Sequence, residues 1–418
     1  MKRILLALGA MSLLLACGDD DSGSSYDLST ASIANASIIY KRAATTRAAN
    51  GSDEDEGYWK IDRQGNETRI LLYDKAGNPT DVKIEKIEKL NDKLLLIETN
   101  SYPLRMIADL QTEKLYQAPD VLDTPVKEGP NGMLYFVGKW IDAVNNQMLY
   151  KLDPKNFTIE QVLPDGQKCN NFLINKGGTI YYTPNEDLFH DGGKFKMPSG
   201  RIYPVSGEVV FLTGNDLYSL ILDQLTISKW NQKSNNELEK MTVCPLYEEG
   251  LPDQFPREII SIVKNEKSNN TIIFMPIYAD IPGQIGYMLY EFDGSRIVRT
   301  ITYDQDNNEL HKAISIWWEI GTSQKESLAN DYLFFTGSEI LTLNLDDYSI
   351  KSTPYTFPAS EYELYETTMD EANKRQLFTA LRYEDGKVVI GEISAQGRIS
   401  IINEKESSNK IINLIALN

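Results

Sequence analysis

Tyr58-Trp59-Lys60-Ile61-Asp62, a Gln64-Gly65-Asn66 turn and Thr68-Arg69-Ile70-Leu71-Leu72 form the stretch whose reading decides the fold. Alternating β-branched and aromatic residues closed by Asp and Gly spell two strands and a hairpin turn. The same phrase returns as Met148 to Asp153 with a Pro154-Lys155-Asn156 turn and Phe157 to Leu163. It returns again as Tyr287 to Asp293 with Gly294 and Arg296 to Ile301, and as Ile340 to Asp346 followed by Tyr348-Ser349-Ile350. Weaker copies run over Arg105 to Leu115, Leu217 to Trp230 and Val388 to Ile402. Asp recurs at the end of the first strand because a carboxylate there accepts backbone N–H groups two residues on and fixes the turn. Asp62, Asp109, Asp153, Asp223, Asp293 and Asp346 are therefore expected to be structural before they are ligands.

A further apolar strand precedes most of these hairpins: Asp92 to Glu98, Gly132 to Val137, Gly178 to Tyr182, Glu208 to Thr213, Thr271 to Met275, Tyr332 to Thr336 and Gln376 to Leu381. Their density of Ile, Leu, Val, Tyr and Phe is that of central, buried strands. A fainter strand often comes earlier still, as at Val82 to Ile87, Glu258 to Val263 and Ala313 to Trp318. The unit is thus a four-stranded antiparallel meander repeated without helices. Turns near residues 65, 111, 154, 192, 223, 293, 346 and 396 recur at a mean spacing of about 47 residues, the length of a β-propeller blade. Eight blades are counted, with seven as the alternative because the unit around Asp191-Gly192-Gly193 looks clipped. Gln232 to Pro256 reads as an inserted loop. Ser37 to Tyr40 and Ile411 to Ala416 are expected to pair in one blade, closing a single propeller domain over residues 32–418 and protecting its edges.

The N-terminus carries a different signal. Lys2 and Arg3 precede an apolar run from Ile4 to Leu15, too short to span a bilayer of about 30 Å, with Ala16 directly before Cys17. Basic head, apolar core and small-residue cleavage site are the order of a secretory signal over residues 1–16. Leu14-Leu15-Ala16-Cys17 resembles the lipobox of bacterial lipoproteins. The resemblance implies cleavage before Cys17 and attachment of acyl chains to it, three of which make an essentially permanent anchor. Residues 17–31 begin with the polar, acidic Gly18 to Ser25 and read as a flexible tether. Gly18, where an aspartate marks inner-membrane retention in some lineages, implies the bacterial outer membrane, with the periplasmic and cell-surface faces both open. The hairpin repeats are similar in a general way to those of bacterial propeller lipoproteins, which implies a scaffold and no catalytic residues.

Charge and composition narrow the function. The formal net charge is −18, and removal of Lys2 and Arg3 makes it −20. Such a surface repels nucleic acid. Only Cys169 and Cys244 follow Cys17, neither in a Cys-x-x-Cys arrangement, and a disulfide between them is open on sequence alone. The two histidines, His190 and His311, are too few for a histidine-based zinc site without added carboxylates. Asp304-Gln305-Asp306-Asn307-Asn308-Glu309 places oxygens like a calcium loop, but Glu309 and Ser315 stand where Gly and Glu are needed, so a polar loop is expected. Ser52-Asp53-Glu54-Asp55-Glu56 reads as a solvated acidic loop. Trp317-Trp318, taken as strand, should put one indole in the core and one outside. No catalytic, cofactor or metal residue is assigned; Cys17 is the one site residue. The reading is a lipid-anchored envelope binding or scaffold protein whose propeller loops engage a protein or glycan. The rival reading is an envelope polysaccharide hydrolase or lyase with its active site at the channel.

Overall fold

Leu94-Leu95-Leu96-Ile97 shows how the chain builds its core: all four are buried, but successive side chains serve different neighbours. Leu95 and Ile97 pack with Ile39 and Tyr58, whereas Leu94 and Leu96 pack with Leu134 and Phe136. A strand alternates its side chains between the two faces of its sheet, so a sheet apolar on both faces is sandwiched between two others. The computed structural model describes residues 27–44, 56–118, 126–139, 147–163, 169, 171–183, 194–196, 202–204, 208–221, 225–232, 238–246, 259–278, 285–303, 309–323, 325–405 and 409–417.

Eight sheets of three or more strands follow one another. Sheet 1 contains Asn409–Ala416, Ala36–Ala44, Gly57–Asp62 and Glu67–Arg69 in that order. Sheets 2 to 8 span residues 84–117, 127–161, 171–204, 208–245, 261–303, 332–354 and 362–405. Each junction between consecutive sheets has its own apolar cluster. Examples are Tyr135 and Leu149 with Phe172 and Tyr182 between sheets 3 and 4, and Leu333 and Phe335 with Phe378 between 7 and 8. The last cluster, in which Leu377 and Val388 meet Ile38 and Tyr40, joins sheet 8 to sheet 1 and closes the circle. The fold is an all-β propeller. Seven sheets carry four strands or more and are complete blades, matching the alternative count; the sheet over 332–354 has three.

The two terminal segments are neighbours. Ala36–Ala44 pairs antiparallel with Asn409–Ala416, Ile39 opposite Ile415 and Lys41 opposite Ile412. Between these pairs the C-terminal strand bulges. Asn413 there adopts φ 53°, a left-handed conformation that Asn tolerates better than most residues. Its Nδ2 donates to the Tyr58 hydroxyl (2.6 Å) and to the Ile87 carbonyl (3.1 Å), tying the closing strand to sheets 1 and 2.

Several expectations are corrected. Ala313 to Trp318 is not a strand, and the repeat is not free of helices: α1 spans Leu310–Thr322. Its apolar residues Leu310, Ala313, Ile316, Trp317 and Ile320 recur at helical spacing and are buried between sheets 6 and 7. The segment after α1, Ser327–Leu328, stands where the first strand of sheet 7 would, but pairs parallel with Ser261–Asn265 of sheet 6. Sheet 7 therefore lacks a strand, whereas the sheet around the expected clip has four. Within the expected loop from Gln232 to Pro256, Leu238–Pro245 is the fourth strand of sheet 5. Leu28–Ala31, assigned to the tether, is a strand paired with Leu72–Asp74. Cys169 lies buried at the junction of sheets 3 and 4 and Cys244 packs at that of 5 and 6, so the two thiols are not joined. Burial pushes the Cys169 thiol up to about 12, out of the nucleophilic range.

Candidate functional site: the long-connection end of the ring

An antiparallel meander sends its first-to-second and third-to-fourth turns to one end of the ring and its other connections to the opposite end. The first end is fixed by the expected chemistry. Asp62 Oδ1 accepts the Gln64 and Asn66 N–H groups at 2.9 and 2.8 Å. Asp109 does the same for Gln111 (2.7 Å), Asp153 for Lys155 (2.9 Å) and Asp293 for Ser295 (2.7 Å). Asp346 departs from the pattern. Asn344 and Asp347 hold that turn through the Asp346 and Ser349 N–H groups, at 2.8 and 2.9 Å, and Asp346 instead faces Lys267 at 3.3 Å. Asp223 lies outside the described residues.

These turns also lock neighbouring sheets. The Thr213 and Thr271 hydroxyls share a hydrogen bond of 2.6 Å. Asn265 Nδ2 donates to the Leu345 carbonyl (2.8 Å) and the Tyr348 hydroxyl (3.0 Å). Lys127 of sheet 3 donates to the Phe172 carbonyl of sheet 4 (2.9 Å) and meets Glu326, directly before Ser327–Leu328, at 2.6 Å. The Glu326 carbonyl accepts the Lys264 N–H of sheet 6 at 2.9 Å, so this ion pair links sheet 3 to the edge of a sheet that is not its neighbour.

The opposite end has another character. Eight large apolar side chains among the described residues are exposed. Three of them, Met241, Val298 and Ile401, lie on fourth strands at sheet edges, where scattered exposure is ordinary. The other five, Tyr102, Leu104, Trp318, Leu364 and Tyr383, all lie at the long-connection end. Tyr102 and Leu104 stand between the second and third strands of sheet 2. That loop is held by the Thr99 hydroxyl, which donates to the Ser101 and Pro103 carbonyls at 2.7 Å each. Gln117 Nε2 donates to the Tyr102 hydroxyl (2.8 Å), fixing the ring outward. Leu364 opens the first strand of sheet 8, and Tyr383 follows its second strand with its N–H on the Glu361 carbonyl (2.8 Å). Tyr365 beside them has its phenol raised by burial, and Lys410 Nζ stands 5.1 Å from its ring centre.

Trp318 reaches this end on α1. The last turn of the helix presses on the residue before sheet 6: a Cβ on Gly321 would sit 2.1 Å from the Ile260 carbonyl, so only glycine allows the approach. Trp317 is fully buried, stacked on Phe274 with ring centres 5.5 Å apart, while Trp318 is 56% exposed. One indole is inside and one outside as expected, but because adjacent helical residues diverge by about 100°, not because of strand alternation.

No protein-family model and no curated protein matches the chain. Among solved structures it is similar to an uncharacterized protein from Listeria monocytogenes, at 8% identity and a TM-score of 0.39 over 77% of this chain and 97% of that one. It is also similar to a protein from Lactobacillus plantarum (12%, 0.32, 66% and 82%). A third is a quinoprotein alcohol dehydrogenase-like protein from Bacteroides thetaiotaomicron (11%, 0.29, 92% and 79%). Likeness at this level bears on no ligand or activity.

The remaining sequence candidates do not assemble a site. Cys17, His190, Ser52 to Asp55 and Asp304 to Asn308 lie outside the described residues. Ser315 sits in α1, its hydroxyl donating to the His311 carbonyl (2.8 Å), and His311 is exposed. Among the described residues no group of three or more His, Cys, Asp or Glu is placed to hold a metal ion. Tyr102, Leu104, Leu364 and Tyr383 were not singled out in the sequence, because their exposure depends on which end of the ring each connection occupies.

Proposed function

We propose that this chain is a binding or scaffold protein of a bacterial cell envelope that engages a protein or glycan through the long-connection end of its propeller. The carrying observation is the sorting of exposed apolar side chains. Five of the eight stand at one end, on segments pinned from behind, while the other end is occupied by turns that satisfy their own polar groups. A surface that keeps Trp and Tyr in water at one pole fits the compositional preference of interfaces. The lipobox resemblance supports anchorage in the outer membrane through acyl chains on Cys17, with residues after it as tether.

The test places a photo-crosslinking amino acid at position 102, 318 or 383 in native cells, and at Lys155 or Arg296 of the tight-turn end as controls. Adducts to one partner, or protection by one envelope glycan, from the first three positions only are expected. Equal labelling from both ends, or none from the first three, refutes the reading. Anchorage is checked separately: Cys17→Ala should abolish metabolic labelling by palmitate and release the protein from the membrane fraction.

A further inference from the structure

The seam where sheet 8 meets sheet 1 contains a cleft of about 580 Å³ at the tight-turn end, away from the surface discussed above. That volume is within the range of small-ligand sites. Its apolar wall is Ile38, Ile61, Ile402 and Leu417. Its polar side is organised from beneath by Asp370, whose side chain is fully buried. Asp370 accepts Arg375 Nε at 2.7 Å and the Asn373 side-chain amide at 2.9 Å. Arg375 Nη1 is bound by Glu392, whose other oxygen accepts the Ser400 hydroxyl at 2.9 Å. The guanidinium is thereby held in one orientation with Nε and Nη1 committed and Nη2 left over. The Asn373 amide oxygen and the remaining lone pairs of Glu392 are the acceptors beside it.

We infer that this cleft binds a small neutral polyhydroxylated ligand, a monosaccharide or disaccharide unit. Charge decides the class. Arg375 faces two carboxylates, Asp370 and Glu392, so its positive charge is already spent and an anionic ligand gains nothing from it. Hydroxyl groups suit a site with one remaining donor, Arg375 Nη2, and several acceptors, since each both donates and accepts. Ile402, half-buried at the edge of the seam, is the apolar side chain that meets the C–H face of a pyranose, with Ile38, Ile61 and Leu417 buried behind it. Because the walls come from both sheets at the seam, occupancy also holds the two ends of the ring together, and the bound form should resist unfolding more than the empty one.

The probes are methyl hexopyranosides and N-acetylglucosamine, with glucuronate as the anionic counterpart, tested on the full chain by saturation-transfer NMR. Transfer to at least one neutral sugar and none to glucuronate is expected. Ala372 is an exposed residue on the cleft rim. Ala372→Trp should fill the cleft and abolish transfer, whereas Ala372→Ser should keep it. Amide exchange gives a readout independent of the variants: the neutral sugar should slow exchange in residues 370–375 and 62–66. Binding to glucuronate alone, no binding, transfer that survives in folded Ala372→Trp, or protection confined to other segments each overturns the inference. Failure here leaves the crosslinking pattern of the opposite end untouched.

Discussion

Replacing Arg375 with Met tests whether the sheet 8 turn depends on a buried charge pair. In the native chain the Asp370 carboxylate has no exposure and takes its main compensation from Arg375 Nε at 2.7 Å. Removing one partner of a buried pair costs about 3–5 kcal/mol, because the other charge stays buried and uncompensated. The Asn373 side chain and N–H, at 2.9 and 3.2 Å, still reach Asp370, which places the loss at the lower end, about 3 kcal/mol. Asp370→Asn combined with Arg375→Met leaves no buried charge and should cost about 1 kcal/mol, so adding Asp370→Asn to the single variant should recover about 2 kcal/mol. Urea unfolding followed by tryptophan fluorescence measures this. With a slope of about 3 kcal/mol/M the single variant shifts its midpoint by about 1 M. A single variant within about 1 kcal/mol of the parent, or a double variant no better than the single, refutes the argument.

Deleting residues 409–418 removes the buried side chains of Ile411, Leu414 and Leu417, each worth about 1.5–3 kcal/mol, and bares the edge of Ala36–Ala44. Soluble folded protein should be lost, and a truncated monomer with an unchanged melting temperature would contradict closure by this strand. Trp317→Ala should destabilise by about 3–5 kcal/mol and Trp318→Ala by under about 0.5 kcal/mol; denaturant midpoints of the two variants decide, and similar losses would mean α1 is misplaced. Hydrogen bonds from the Asn66 side chain to Asp62, from Lys267 to Asp331 and from Arg382 to Asp385 hold these carboxyls below their usual values, Asp385 down to about 2. A depressed folded value means the stabilisation is complete above the unfolded value of about 3.9 and fades as pH falls through the folded one. The melting temperature should therefore hold between about pH 5 and 7 and drop below about pH 4; a loss on raising pH from 5 to 7 would contradict the sign.

Strand positions and turn chemistry were legible in the sequence because both are local. Asp62, Asp109, Asp153 and Asp293 hold their turns as read, since an Asx turn needs only its own next few residues. The helix was missed although its signal was present: Ala313 to Trp318 has the β-branched and aromatic content of a strand, but Leu310, Ala313, Ile316, Trp317 and Ile320 carry the helical period. Asp346 escaped because its partner, Lys267, is 79 residues away. The incomplete sheet escaped for a similar reason, since Ser327–Leu328 pairs with a strand of the preceding unit. The exposed set was the least legible part. Leu364 and Tyr383 look like ordinary strand residues, and only register, including the irregularity between Leu364 and Glu366, turns Leu364 to solvent.

Pairing of the two chain ends sets a clock for biogenesis. Lys41 meets Ile412, so 371 residues must be made after Lys41 before the first long strand finds its partner. At roughly 5–20 residues per second, synthesis alone leaves that edge open for about 20–75 s. An open edge is a template for pairing with other chains, and it is borne here by Ala36–Ala44, the first long strand of the repeat. The nascent ring is therefore most vulnerable at its beginning and for the whole of its synthesis. Dependence on a holding factor should be greatest for chains that stall just short of the final strand.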